Sequence, residues 1–446
     1  MSSEGDLLGV VVMTRHGDRQ GFYQDPKTYT PTLTTVTPLG TQQEFQLGQL
    51  LRNLYLDPSS SSFIKGINYT LADQTQILAR ADAGGEAGVI LDSAASLLQG
   101  LFPANENYTT SLANGTTVAS PLGGIVDGRS LPVESVEPDN DISLEGWTSC
   151  GAFNDATNNF YNSAEFRTRG TEAADFLGQL PKYLDGRPVT LENMWNVFDF
   201  MLVQSIHNKA FKDALPETFL EQGRALANWH EYNVFTSSEI DGVGNIAGRT
   251  ILPSVMEGFA RIANETDPLK IMYMATSYKP FLSLFNMTGV ASANPELAGF
   301  VNYAGAVVWE VRKSSDGGPV LRFNFKNGTA DNSFKQYNFM DSTGDVSLAT
   351  FVNHVAPATI NSTATWCGIC GNVQDRGCGA LVQAENVGRM KALPAGLSVA
   401  DAGALGAGVA LAFSLCVISL LACLGFVSLG RRQKYPPSVR NSDLVK

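Results

Sequence analysis

The sequence predicts an α/β protein. Short uninterrupted aliphatic runs bounded by polar loops, such as "LLGVVVM" at 7–13 and "KIMYMATS" at 270–277, read as buried parallel strands. Helical stripes follow them, and 446 residues at 44% hydrophobic content are enough for one large core or two ordinary ones. A net charge of −12 with no basic stripe excludes a general nucleic-acid binder, so a bound anion must be caught by a few local arginines.

The first strand, Leu7 to Met13, ends at the loop "TRHGDRQG", which places Arg15 and His16 just past its carboxyl end. Thr37 and Pro38 then cap a helix striped by Phe45, Leu47, Leu50, Leu51 and Leu54. Thr75 to Ala79 reads as a second buried strand that stops at Arg80, followed by a helix from Glu86 to Leu101. From 105 to 245 the texture becomes Gly- and Asn-rich and then helical, around 169–184, 191–211 and 217–232, which predicts a mostly helical inserted cap. The core resumes at 246–356 with helices at 251–262 and 281–285, the strand 270–277, and a hairpin around "SSDGGP". Residues 357–401 read as a cysteine-containing stalk.

Residues 402–430 carry no charge and are long enough to cross the ~30 Å hydrocarbon core as one helix. Arg431, Arg432 and Lys434 follow at once, so the tail 431–446 is expected in the cytoplasm and the body outside or in a lumen. Seven Asn-x-Thr/Ser acceptor sites, at Asn68, Asn107, Asn114, Asn264, Asn286, Asn327 and Asn361, all precede that segment. "MSSEGDLLGV" does not read as a signal peptide, which leaves a leader upstream of this sequence or a tail-anchored cytosolic body; the acceptor sites favour the former. Cys150, Cys367, Cys370 and Cys378 predict two disulfides of open pairing, and "WCGIC" lacks the fourth regularly spaced ligand of a zinc site.

Phosphoryl transfer through an enzyme intermediate needs a nucleophile, cations on the equatorial oxygens and an acid for the leaving oxygen. His16 is the candidate nucleophile, and Arg15, Arg19 and Arg80 are the candidate clamp, since a guanidinium forks onto phosphate and keeps its charge. His207, His230 and His354 read as packing or surface residues, and Glu86 as a partner of a helix N-terminus. Gly84-Gly85 reads as a turn, with a phosphate cradle as the less favoured alternative.

"RHGDR" at 15–19, "TPLGTQQEFQLGQLLRNLY", "ILARADAGGEAGVILDSAASLLQGLFP" and "VFDFMLVQSIHN" together resemble the histidine acid phosphatases, the phytase-containing branch of the histidine phosphatase superfamily. The resemblance implies a three-layer, phosphoglycerate mutase-like α/β/α core over 1–104 and 246–356, with the cap at 105–245. It further implies a phosphohistidine at His16, phosphate binding by Arg15, Arg19 and Arg80, a phosphorylated small-molecule substrate, and neither cofactor nor metal. Gln20 and Gly21 stand where the family commonly continues to a proline. At "ATSYKP", Ser277 and Tyr278 occupy the places of the family's His-Asp pair, which supplies a phosphate ligand and the proton donor. Tyr278 or Lys279 are expected as substitute donor or ligand, ranked below simple loss of the acid. The resulting expectation is a membrane-anchored phosphomonoesterase weakened by that loss; the alternative is an inactive relative that binds a phosphorylated ligand or serves surface recognition.

Overall fold

The computed structural model describes residues 6–86, 88–103, 109–119 and 131–391. An eight-stranded mixed sheet forms its centre, with β1 (Leu7–Arg15) in the middle. Helices α1 (Pro38–Tyr55) and α2 (Gly88–Leu101) flank β2 (Ile77–Asp82), and a small hairpin, β3 (Thr109–Ser111) and β4 (Thr117–Ala119), precedes β5 (Val133–Val136). The cap helices are α3 (Gly151–Tyr161), α4 (Ala164–Leu177), α5 (Met194–His207), α6 (Lys209–Ala214) and α7 (Phe219–Val234). The core continues through α8 (Ile246–Ala263), β6 (Ile271–Thr276), α9 (Lys279–Met287), α10 (Val290–Ala293), β7 (Ala306–Lys313), β8 (Pro319–Lys326), β9 (Lys335–Tyr337) and β10 (Val346–Ser347). Three helices follow, α11 (Leu348–Val355), α12 (Thr363–Cys370) and α13 (Cys378–Lys391).

Strand order is β10-β8-β7-β1-β6-β2-β5, with β9 beside β8. β1 runs parallel to β6 and antiparallel to β7, with Val10 opposite Ile271 and Arg15 opposite Thr276. Its side chains alternate between two cores: Val10 and Val12 pack with Leu47, Leu51 and Leu97 of α1 and α2, while Val11 and Met13 pack with Val255 and Phe259 of α8. Both faces are therefore covered, as the unbroken apolar run of β1 requires. α1 and α2 touch at Gly48 and Gly100, where a Cβ would lie 2.0 Å from Leu97 O and Phe45 O respectively. That contact lets the two helices share one face of the sheet.

Two boundaries differ from the sequence reading. β5, expected within the cap, pairs with β2 and belongs to the main sheet, so the helical cap begins after it. Residues 357–382, expected in a stalk, fold against the body. Trp366 is fully buried and donates to Gly146 O at 2.8 Å, and Arg376 donates to the Pro138, Glu145 and Thr148 carbonyls. Disulfides Cys150–Cys370 and Cys367–Cys378 fix this packing, which turns a Thr- and Gly-rich stretch into an anchored helix. Among the described residues no helix is long and apolar enough to cross a membrane. The predicted span 402–430 and tail 431–446 lie outside the described residues.

Candidate active site

His16 follows the last residue of the central strand, and its backbone is pinned between two neighbours. Its N–H donates to Thr276 O of β6 at 3.2 Å, and its carbonyl accepts from Ala304 N at 3.1 Å just before β7. The next residue must be glycine, because a Cβ on Gly17 would sit 2.4 Å from Gly40 O in the first turn of α1. That turn is held in place by Thr37, whose hydroxyl caps Gly40 N at 3.1 Å and also donates to Asp18. The other Asp18 partners are Gln43 and His207, the latter at 2.7 Å. His207 thus ties the end of α5 to the loop, while His230 and His354 pair with Glu231 and the Met287 carbonyl.

His16 Nδ1 donates to Gly17 O at 2.8 Å, which fixes the tautomer and directs Nε2 into the pocket. Nε2 meets Glu86 Oε2 at 2.9 Å, and both residues are buried. Burial by itself would raise the Glu86 carboxyl, but His16, Arg19 and Lys279 outweigh it and hold Glu86 well below the usual carboxylate range. Burial also pushes the His16 imidazole below its ordinary value against the pull of Glu86, and the ionised carboxylate covers Nε2 in this state.

Arg19 is equally committed. Its Nη1 and Nη2 fork onto Asp199 of α5 at 3.1 and 2.9 Å, its Nε lies 3.9 Å from Glu86, and its plane stacks on Phe22 at 4.3 Å. Burial disfavours this guanidinium, and the Asp199 carboxylate more than restores it, so it stays charged. Arg15 reaches the same site from the end of β1, donates from Nη1 to Val301 O, and lies over the Tyr303 ring at 4.5 Å. Burial pushes the Tyr303 hydroxyl up to about 12. Arg15 Nε, Arg19 Nε, Ser277 Oγ and Tyr303 Oη are buried and have no hydrogen-bond partner among the described residues. Buried polar groups are normally paired, so this concentration of unpaired ones marks a ligand site.

Residues 20–326, which begin just after the His16 loop and take in β2 to β8, match a family model described as "Histidine phosphatase superfamily (branch 2)". The chain belongs to that family. A lysosomal acid phosphatase of Xenopus laevis is 20% identical over 335 residues, covering 73% of this chain and 71% of that protein. Among solved structures, the phytase of Citrobacter braakii superposes with a TM-score of 0.54 at 14% identity, over 80% of this chain and 98% of that one. The phytase of Hafnia alvei, in complex with tartrate, gives 0.53 at 13%, over 81% and 99%. The fold is thus the α/β fold of the histidine phosphatases, whose acid phosphatase and phytase members are hydrolases.

Within this histidine phosphatase, Arg15, His16 and Arg19 converge as the sequence reading expects. Arg80 does not join them. β2 runs on to Asp82, so Arg80 lies inside the strand and turns toward β5 and α8: it pairs with Glu134 at 2.7 Å and Asp141 at 2.6 Å and donates to Ser254 at 2.7 Å. The residue that this strand-to-helix junction presents to His16 is Glu86, a carboxylate where the resemblance implied a cation.

Tyr278 is not placed as a proton donor. Its hydroxyl donates to Glu231 Oε2 at 2.6 Å, beside Tyr29, whose hydroxyl donates to Oε1 of the same carboxylate at 2.7 Å. Burial and Glu231 push the Tyr278 phenol well above its ordinary value. Ser277 is buried at the end of β6 with its hydroxyl unpaired. Lys279, also buried, sits 5.0 Å from the Trp147 ring; burial lowers its pKa against the pull of Glu86, Glu231, Glu145 and Asp82. It is a cation behind Glu86 and one of the charges that keep that carboxyl ionised. Asp199 was visible in the sequence only as a lone charge inside the apolar helix "MWNVFDFMLV", and Glu86 only as an acid following two glycines. Among the described residues no group of three or more side chains could hold a metal, and the "WCGIC" cysteines are in disulfides.

Proposed function

We propose that this chain is a slow, acid-favoured phosphomonoester hydrolase that works through a phosphohistidine at His16. The observation that carries the reading is His16 itself: buried at the tip of the central strand, with Nδ1 held by Gly17 and Nε2 directed among the unpaired donors of Arg15, Arg19 and Tyr303. Nε2 attacks phosphorus in line, the Nε2–P bond forms, and the ester P–O bond breaks with the leaving oxygen opposite Nε2. Water then attacks phosphorus, the P–N bond breaks, and phosphate departs.

Before attack, the Glu86 carboxylate has to take up a proton, so that it stands neutral beside the incoming phosphate. Like charges so close in a buried site disfavour joint ionisation, so low pH assists entry. Glu86 lies where phosphorus must sit rather than opposite Nε2, and Tyr278 is bound to Glu231, so the leaving oxygen has no strong acid. Loss of such help costs ~10²–10⁴-fold and falls hardest on poor leaving groups.

The body belongs on the lumenal or extracellular side of a membrane, anchored by residues 402–430. Two disulfides suit an oxidising compartment, and the acceptor residues Asn68, Asn114, Asn264 and Asn361 are exposed. Asn286 is unsuited to a glycan, since its amide donates to Ser237 O and Asn245. A second reading, binding of a phosphorylated ligand without turnover, is favoured by the Glu86 carboxylate seated on Nε2.

Hydrolysis of 4-nitrophenyl phosphate and of glycerol phosphate by the purified chain separates these readings. The aryl ester should turn over at least ~10²-fold faster, with loss of that activity in His16→Ala. Equal rates on the two esters would remove the missing-acid element, and absence of both turnover and phosphohistidine would leave the binding reading. A mobility shift of the native protein on glycosidase treatment checks the lumenal placement.

A further inference from the structure

One face of the cap helix α5 runs along the loop that follows His16. Asn196, Asp199, Val203 and His207 recur at steps of three and four residues, so they share a stripe. They meet the loop in reverse order. Asn196 exchanges two hydrogen bonds with the backbone of Gln24, at 3.0 and 2.7 Å, Asp199 forks onto Arg19, and His207 Nε2 meets Asp18 Oδ2 at 2.7 Å. The Asp199 contact belongs to the pocket already described, and the two outer ones have no part in it.

The His207 end is the unequal join. Asp18 is fully buried, its Oδ1 has no hydrogen-bond partner, and its Oδ2 takes Thr37 and His207. Arg19, the cation next along the chain, is turned to Asp199, so His207 is the one basic side chain within pairing distance of Asp18 among the described residues. The His207 side chain is 37% exposed, on the wall of an opening of about 560 Å³ between α5 and the loop. A buried carboxyl group that loses such a partner is costly to leave in place, and here it has room to turn toward water. That turn would move the peptide joining Gly17 to Asp18, whose carbonyl, Gly17 O, holds His16 Nδ1 at 2.8 Å.

We infer that His207, assisted by Asn196, is a positioning residue: from the cap it fixes the Gly17–Asp18 peptide, and through that carbonyl the direction of His16 Nε2. The aim of the nucleophile is therefore set by a cap helix as well as by the strand that carries it.

Hydrolysis of 4-nitrophenyl phosphate and amide hydrogen exchange, in wild type, His207→Leu and His207→Gln, test this. The kinetic arm rests on the hydrolase reading, and the exchange arm does not. His207→Leu should lower kcat by about tenfold or more with KM within about threefold, since a misaimed nucleophile slows chemistry more than binding. His207→Gln, which keeps an N–H donor, should recover most of that loss. The amides of Gly17, Asp18 and Gln20 should exchange about tenfold faster in His207→Leu, while those of β6 keep their wild-type rates. An unchanged kcat in folded His207→Leu, a loss that His207→Gln does not relieve, or exchange that rises equally in β6 overturns the proposal. If His207→Leu does not fold, exchange in the wild type decides: the loop amides and those of the last turn of α5 should share one opening constant, and separate openings overturn the link. If no form turns over the ester, the exchange result alone decides, and its expected outcome would strike only the hydrolase reading.

Discussion

Arg19 and Arg224 both stack on a phenylalanine ring in the same cleft, at 4.3 and 5.1 Å, and they differ in what faces their charge. Arg19 is forked onto Asp199 and neighbours Glu86; Arg224 has only an amide oxygen. The inner pocket is therefore electrically satisfied by the protein's own carboxylates, whereas Arg224 is left without one. A phosphate entering the inner pocket must displace or neutralise a carboxylate. The presence of a histidine nucleophile and its arginines does not by itself make a phosphate pocket; the charges opposite them decide what it holds at rest.

The largest effect that would break the comparison concerns the nucleophile. His16→Ala should reduce aryl phosphate hydrolysis by at least about 10³-fold, because the covalent route closes, with steady-state rates as the measure. Retention of most of the rate would place the chemistry elsewhere.

Asp199→Asn removes one half of a buried fork and strands the Arg19 charge, so stability should fall by about 3–5 kcal/mol in urea unfolding. The freed guanidinium should at the same time bind inorganic phosphate more tightly. A neutral effect on both counts would show that Asp199 does not compete with phosphate.

Glu86→Gln should strengthen phosphate binding at neutral pH by roughly tenfold or more, since a buried like charge is removed. In the wild type, the Glu86 carboxyl is held low in the empty pocket and is raised when phosphate, an anion, becomes its neighbour. Binding there takes up a proton, so affinity rises as pH falls, and this slope should flatten in the variant. Titrations at two pH values measure it.

The smallest effect sharpens the assignment of the clamp. Arg80→Ala should leave phosphate affinity within about twofold, because its guanidinium is spent on Glu134, Asp141 and Ser254.

Much of this arrangement could be read along the chain. β1, α1, β6 and the hairpin of β7 and β8 follow from local apolar runs, a Thr-Pro cap and a turn, all encoded within a few residues of each other. Arg15, His16 and Arg19 come together for the same reason: they share one loop. Arg80 was misplaced because its strand continues three residues further than its apolar run, which moves the side chain from the sheet's tip to its flank. Glu86 and Asp199 were not legible as site residues, since their role depends on where a loop and a cap helix meet the first strand. The 357–382 segment looked like a stalk because its burial relies on a disulfide to Cys150, 220 residues before its partner.

The central claim is that His16 is a working nucleophile whose empty pocket is occupied by its own carboxylate. Its most direct test is phosphorus-31 NMR of denatured protein, quenched during reaction with 4-nitrophenyl phosphate, in the wild type and in Glu86→Gln. The account predicts an N-linked phosphorus on His16 in both, reached faster in Glu86→Gln. Its absence from both, with the substrate still bound, would contradict the claim.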